Sequence, residues 1–445
     1  MERFLLSAVS LAVVLGVMIV VHELGHFAAA KWFGVRVDVF SIGFGKRLVG
    51  FRRGDTDYRI SALPLGGYVK MAGENPLESR SGAPYEFMSH PRWQRFVIAV
   101  AGPAMNILLA VALLTGVFMV HYEHPIFLDQ PAVIGWVLEN SPAGKAGVQQ
   151  GDRIVRIDGE QDPTWEDVML KVMVSTRQPV DVTIQRGGQT FEKQLQPQAE
   201  GVEQYGSMGW VPDQPITVTE LEPDMPAAKA GLELGDDIIA INGTVVRSLF
   251  DVIRYLQHNG NKPVDVTFVR KGQQLRLTMT PVQTEEGNQK SYRLGFRSEP
   301  VHVDKLPFAQ AFDRSLDENK KYSLLIVDLV HKMIERKVSI KQMEGPIGIG
   351  RATGEAVQQP GWTPLLSLMA MISLNLGIFN LLPIPILDGG IILLLVIEGV
   401  MRRDISIRIK ERIYQTAFVF LLLFFAVVIY NDLMKALPGL AQRLP

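Results

Sequence analysis

The pentapeptide His22-Glu23-Leu24-Gly25-His26 carries two imidazoles and a carboxylate at a spacing suited to metal-assisted hydrolysis. On a helix, residues i and i+4 lie one above the other, so both rings project from one face and can share a Zn²⁺. Glu23 is one step around that face, placed to take a proton from a water without being a ligand. The setting sharpens the reading. From Phe4 to Ala30 no other side chain is ionisable. Burying such groups in hydrocarbon costs roughly 2.5–3.5 kcal/mol for each charge even on lenient scales, and metal coordination would offset that cost.

A second metal-type residue stands far along the chain. Two histidines need a third protein ligand, and the remaining six, His90, His121, His124, His258, His302 and His331, fall in loops, at span ends or in extramembrane sequence. The acids in apolar surroundings other than Glu23 are Asp388 and Glu398. Asp388 lies in Asn380-Leu-Leu-Pro383-Ile-Pro385-Ile-Leu-Asp388-Gly389-Gly390, where two prolines must break the helix and free backbone groups. Glu398 is expected nearer the interface and solvated. Asp388 is therefore the expected third ligand, and the alternative for this stretch is a plain helix end with a turn.

The elements that must position these groups are membrane helices. Besides the first segment, apolar stretches run from about Phe96 to Val120, Leu365 to Met401 with an interruption, and Ala417 to Tyr430 with apolar extension on either side. Each meets the length of about 20 residues that a bilayer core requires. A cleaved signal peptide ending at Ala28-Ala29-Ala30 is excluded, because the apolar run is too long and polar HELGH precedes the supposed cut. The loop after the first span carries Arg36, Lys46, Arg47, Arg52, Arg53, Arg59, Lys70, Arg80, Arg92 and Arg95, and the loop before the last carries Arg402, Arg403, Arg408, Lys410 and Arg412. By the positive-inside rule both face the cytoplasm, which puts both termini and the long middle region on the far side. His22, about 18 residues into its span, then sits about 27 Å deep, toward the cytoplasmic face.

Composition agrees with a membrane protein that has a large soluble part. Charged residues make up 20% of 445, and Lys+Arg 45 against Asp+Glu 46 leaves a net charge of −1, which gives no reason to expect nucleic acid. Cysteine is absent, so thiolate ligands, disulfides and a cysteine nucleophile are all excluded.

HELGH in the first span, Ala101-Gly102-Pro103-Ala104-Met105-Asn106 opening the second and NLLPIPILDGG in the third together resemble the site-2 protease family of intramembrane zinc metalloproteases. One departure is Ile391, where many bacterial relatives are expected to have histidine. The resemblance implies a Zn²⁺ cofactor held by His22, His26 and Asp388, with Glu23 as general base. It implies cleavage within the transmembrane segment of single-span proteins in the inner membrane of a Gram-negative bacterium. An anti-sigma factor of the envelope stress response is the expected substrate, and remnant signal peptides are a further class. A substrate helix must unwind before its carbonyls can be attacked. Asn380, which can pair with exposed backbone, and the Pro383/Pro385 break are the candidates for holding the extended strand.

The middle region contains a repeat. Pro142-Ala-Gly-Lys-Ala-Gly-Val148 and Gly151-Asp-Arg-Ile-Val-Arg-Ile-Asp-Gly159 recur as Pro226-Ala-Ala-Lys-Ala-Gly-Leu232 and Gly235-Asp-Asp-Ile-Ile-Ala-Ile-Asn-Gly243, and Pro179-Val-Asp-Val-Thr183 matches Pro263-Val-Asp-Val-Thr267. Alternating β-branched residues mark short strands, and Trp165 to Thr176 and Leu249 to Asn259 read as single helices. This resembles tandem, circularly permuted PDZ domains, which receive peptides along a strand edge or act as spacers. The resemblance implies that they exclude substrates with bulky extracytoplasmic domains.

Two linking regions complete the chain. From Val35 to Val69 the alternation reads as short β-hairpins around Ser41-Ile42-Gly43-Phe44-Gly45 and Leu65-Gly66-Gly67-Tyr68. In the family this is a membrane-associated region beside the active site, with Gly43, Phe44 and Gly45 as expected substrate contacts. From Leu306 to Val338 helical spacing among charges suggests an amphipathic helix pair against membrane lipid or the repeats, and Gly345-Pro346 breaks the pattern.

The expected fold is a polytopic α-helical membrane protein with four transmembrane helices, a membrane-associated β-hairpin region and two extramembrane PDZ-like α/β domains. Its parts are 1–121, 122–205, 206–292, 293–363 and 364–445. Two rivals remain. A non-proteolytic PDZ-containing receptor or adaptor predicts that Glu23→Gln leaves function intact. A metal transporter predicts further acids or histidines in the spans, which the sequence lacks.

Overall fold

The computed structural model describes residues 2–74, 81–176, 178–201, 204–286, 289–298, 301–335, 337 and 344–436. Arg80 of the basic loop and Val338 at the end of the expected helix pair lie outside them. The chain divides into two units, one of Met1–His121, Lys305–Val330 and Met343–Pro445, the other of Tyr122–Asp304 and His331–Gln342.

The first unit is built on helices: α1 (Glu2–Trp32), α2 (Arg92–Val120), α3 (Phe308–Ile334), α4 (Pro346–Gln358), α5 (Thr363–Asn380), α6 (Asp388–Met401) and α7 (Ile407–Ala436). Among the described residues four stretches are long and apolar enough to cross a membrane: Val9–Trp32, α2, α5 and Ile407–Lys435. At 14 residues α6 is too short to span alone. The expected third segment is thus one spanning helix, a break and a shorter apolar helix. Against α2 pack α1, α5 and α6. Close approach depends on small residues. A Cβ at Gly25 of α1 would overlap the Ala101 carbonyl of α2, and one at Gly377 of α5 would come within 3.0 Å of the Pro103 carbonyl.

Between α1 and α2 lies a single long hairpin, β1 (Val37–Arg53) and β2 (Thr56–Met71), where the alternation suggested several short ones. It curls on itself. Val39–Ile42 pairs with Asp57–Ile60 on one side and with Gly67–Lys70 on the other, and Asp57–Ile60 pairs again with Val49–Arg52. Val37, Phe40, Val69 and Met71 bury their side chains with Ala30 of α1 and Ile98 of α2, which fastens the curled sheet to both helices. The outer part stays exposed, and there Leu48, Val49 and Phe51 stand beside Lys46, Arg47 and Arg52.

Further expectations change. Among the described residues the 306–338 region holds one helix, α3, instead of a pair, because its apolar positions stay in phase for 27 residues. Tyr322 and Ile326 pack against Ala110, Leu374 and Ile378. Gly345-Pro346 opens α4, since proline at the first helical position sacrifices only an N–H that has no intrahelical partner. The next two amides, of Ile347 and Gly348, donate to Asp432 Oδ2 of α7 at 2.7 and 3.0 Å. Glu398 is 1% exposed instead of solvated. It accepts from Lys410 Nζ at 2.6 Å and from the Ile405 amide at 3.0 Å, so a buried ion pair joins α6 to α7.

The second unit contains the same core twice. One cluster gathers Ile134, Ile154, Trp165, Val182 and Ile184, the other Ile216, Ile238, Val252, Val266 and Phe268. Polar contacts repeat with the side chains. Asp152 pairs with Arg186, and Asp236 with Arg270. Thr164 and Asp167 form a capping box at Trp165–Met173, as Ser248 and Asp251 do at Leu249–Asn259. Burial alone would raise the Asp236 pKa, but hydrogen bonds from Arg270 and the Glu233 amide hold it below the ordinary carboxylate range. The expected breaks at 205 and 292 each fall one short strand early. Trp210–Pro212 pairs with Ile134–Val137, and Phe296–Arg297 with Glu220–Leu221. Met208 and Leu294 belong to the first and second cores. Strands of two or three residues are too short to show an alternation.

Lys410→Met should lower the stability of the protein in detergent by about 3–5 kcal/mol, because it strands a buried carboxylate. The double variant Glu398→Leu/Lys410→Met should recover most of that loss. Thermal unfolding of both variants checks this ordering, and equal stability of the single variant and wild type would contradict it.

Candidate metal centre

On α1 the four-residue spacing brings His22 and His26 onto one face, their ring centroids 4.8 Å apart and their planes at 80°. Asp388 comes from the start of α6. Its placement follows from the sequence before it. Pro383 and Pro385 cannot continue α5 and bias Leu382 and Ile384 away from helix. The chain turns through bonds from Ile384 N–H to Leu382 O at 2.7 Å and from Leu387 N–H to Ile384 O at 2.9 Å. Gly389 and Gly390 let this turn fold back onto α6, since a Cβ at either would overlap the backbone of Leu381, Leu382, Ile384 or Pro385. Asp388 thus opens α6, where the helix dipole favours a carboxylate.

Three ligand atoms converge. His22 Nε2 and His26 Nε2 lie 3.1 and 3.4 Å from Asp388 Oδ2, and 3.2 Å from each other. A tetrahedral Zn²⁺ with bonds of about 2.0–2.1 Å separates its ligands by about 3.3–3.4 Å, so this triangle matches one face of such a site. Without a cation, two ring nitrogens and a carboxylate oxygen would crowd their lone pairs in a largely apolar bundle. Among the described residues these three are the group whose ligand atoms converge to within 4.8 Å.

Around the triangle the chain supplies a base, a cavity and supports. Glu23 lines the same cavity of about 150 Å³ without being one of the three. Val69 lines that cavity with it, and Gly67 brings β2 against its side chain. His26 Nδ1 lies 2.8 Å from the Ile98 carbonyl, and His22 Nδ1 lies 3.2 Å from Asn106 Nδ2. At Gly102 a Cβ would overlap His26 Nε2.

Other expected residues fall elsewhere. Asn380 ends α5 half-buried, and Pro383 and Pro385 lie in the turn; none lines the cavity. Gly43, Phe44 and Gly45 lie in β1, also outside the lining, although Phe44 stacks on Tyr68, which does line it, at 5.9 Å. The strand beside the cavity is Gly67–Val69. Sequence reading missed three contributors. Asn106 and Gly102 stood in the AGPAMN motif with no role assigned. Glu74 lines the cavity from the loop after β2, accepts the Met71 amide at 3.2 Å, and has its pKa raised by burial. Nothing in its sequence setting marks it. Ile391, the departure from the family pattern, also lines the cavity.

Comparison with known proteins identifies what the chain is similar to. The model of Peptidase family M50 matches residues 10–424. The regulator of sigma-E protease RseP of Escherichia coli (strain K12) is 32% identical over 463 residues, covering 97% of this chain and 99% of its own. The regulator of sigma E protease of Haemophilus influenzae is 31% identical over 454 residues, with the same coverage. Among solved structures, the PDZ domain of the SdrC-like protein from Listeria monocytogenes matches 19% of this chain and 87% of its own at 20% identity, with a TM-score of 0.17.

Because Gly102 leaves room for the His26 ring, Gly102→Ala should displace that imidazole and reduce bound zinc by at least tenfold. Gly116→Ala, on the same helix with nothing within 4 Å, should leave zinc unchanged. Metal content of the purified variants measures both, and a zinc-replete Gly102→Ala would contradict the packing argument.

Proposed function

The chain belongs to peptidase family M50, the zinc-dependent site-2 proteases, and on that premise we propose that His22, His26 and Asp388 hold the zinc and that Glu23 is the catalytic base. The observation that carries the assignment is the triangle of ligand atoms with edges of 3.1–3.4 Å. Two imidazoles and one carboxylate are a donor set that would suit a catalytic zinc.

When bound, Zn²⁺ supplies Lewis-acid activation of water and polarises the scissile carbonyl. Glu23 takes the proton from the attacking water at its carboxylate and returns it to the leaving amine. Substrate lies extended beside Gly67–Val69, the strand nearest the triangle, and the broken helix at Asn380, Pro383 and Pro385 contacts it from the other side. Gly43, Phe44 and Gly45 act through Phe44, which backs Tyr68.

The protein is a bacterial inner-membrane protease of regulated intramembrane proteolysis. Its substrates on this reading are single-span proteins, an anti-sigma factor foremost, because relatives are regulators of sigma-E protease. The basic loops support cytoplasmic placement of the hairpin and of the metal centre's open side, with the termini and the two PDZ-like domains in the periplasm. Exposed Leu48, Val49 and Phe51 among basic residues support contact of the hairpin with lipid headgroups. The PDZ-like domains run from 122 to about 212 and from about 216 to 297.

The test is cleavage of single-span model substrates by purified protein in detergent, with zinc measured on each variant. Glu23→Gln should keep zinc and lose roughly 10²–10⁴-fold in rate. Asp388→Asn should lose metal. A wild type without zinc, whose variants behave identically, would overturn the proposal in favour of a PDZ receptor.

A further inference from the structure

The two histidines are held from behind by different kinds of group. His26 Nδ1 lies 2.8 Å from the Ile98 carbonyl, which can only accept. Its proton is therefore fixed on Nδ1 and its Nε2 lone pair is free for metal. His22 Nδ1 instead meets the side-chain amide of Asn106, which can donate through nitrogen or accept through oxygen. The amide lies 3.2 Å from the ring, and a half-turn about its last bond exchanges nitrogen and oxygen at that place. Oxygen there accepts from Nδ1–H and leaves the Nε2 lone pair free, whereas nitrogen there would need the Nδ1 lone pair and put the proton on Nε2, where His22 could not ligate.

Asn106 is fully buried, and its Oδ1 has no hydrogen-bond partner, an unusual cost for a buried carbonyl. Its position is fixed from behind. Ser373 Oγ donates to its backbone carbonyl at 2.8 Å, and the approach of Gly377 brings α5 against the same turn of α2. With the backbone held, the amide can meet His22 with either end, and the oxygen end is the one that gives Oδ1 a partner.

We propose that Asn106 is a positioning residue that sets the His22 tautomer: its amide oxygen accepts from His22 Nδ1–H and so keeps the Nε2 lone pair for metal. That orientation gives Oδ1 its hydrogen-bond partner, and the ring stays neutral. Asn106 acts through His22 and touches neither metal nor substrate.

The inference rests on the zinc assignment above, and its test separates the two. Zinc affinity of the full-length protein in detergent is measured by competition with a chromophoric chelator for wild type, Asn106→Leu and Asn106→Asp, with the melting temperature of each metal-free protein as the folding control. Asn106→Leu keeps the volume but removes the acceptor and should weaken zinc binding 10–100-fold. Asn106→Asp offers a permanent acceptor and should bind zinc at least as tightly as wild type. A space-filling role predicts the opposite order, with leucine tolerated and a buried carboxylate harmful. Unchanged affinity in Asn106→Leu, or equal losses in both variants, would overturn the proposal. Absence of zinc from the wild type would instead overturn the metal site itself.

Discussion

Three metal-type ligand atoms within 3.4 Å of one another, inside helices built to lie in hydrocarbon, are the constraint on which this unit depends. Two ring nitrogens cannot both donate to one carboxylate oxygen and also stand 3.2 Å apart at no cost. A shared cation would resolve the conflict, and its binding free energy would offset the cost of ionisable groups in apolar helices. The surrounding helices are arranged so that the three atoms meet.

That arrangement is made largely by the absence of side chains. Gly25 and Gly102 let α1 and α2 approach until the His26 ring fills the space a methyl would take. Gly389 and Gly390 do the same for the turn that delivers Asp388. Two prolines end α5 before that turn, and the buried pair of Glu398 with Lys410 ties the far end of α6 to α7. The hairpin supplies what the helices lack, a strand beside the catalytic carboxylate. Helices satisfy their own backbone groups, whereas an edge strand offers pairing to an extended peptide. A fold that must hydrolyse a membrane helix therefore needs both kinds of element beside one metal.

Much of this was legible in the sequence, for physical reasons that differ by residue. The HExxH spacing carries its geometry within one helical turn, and the four spans follow from apolar length alone. Asp388 was legible because an acid beside two prolines is costly in an apolar run. The repeat was visible because the same turn residues recur with the same strands. What stayed hidden depends on partners remote in the chain. The neighbour that keeps Glu398 buried is 12 residues away across a loop, and Asn106 meets a histidine 84 positions earlier. The strand next to the cavity proved to be Gly67–Val69 and not Gly43–Gly45, because the curl of the hairpin comes from its doubled register, which alternation cannot reveal. The ends of the two repeated domains were misjudged because their closing strands are only two or three residues long.

The most direct test of the account is X-ray absorption at the zinc edge of the purified protein. The triangle predicts a first shell of light atoms at about 2.0–2.1 Å with the multiple scattering of two imidazoles, reduced to one imidazole in His26→Ala. A shell of oxygen alone, or a spectrum unchanged by that substitution, would contradict the claim that His22, His26 and Asp388 hold the metal.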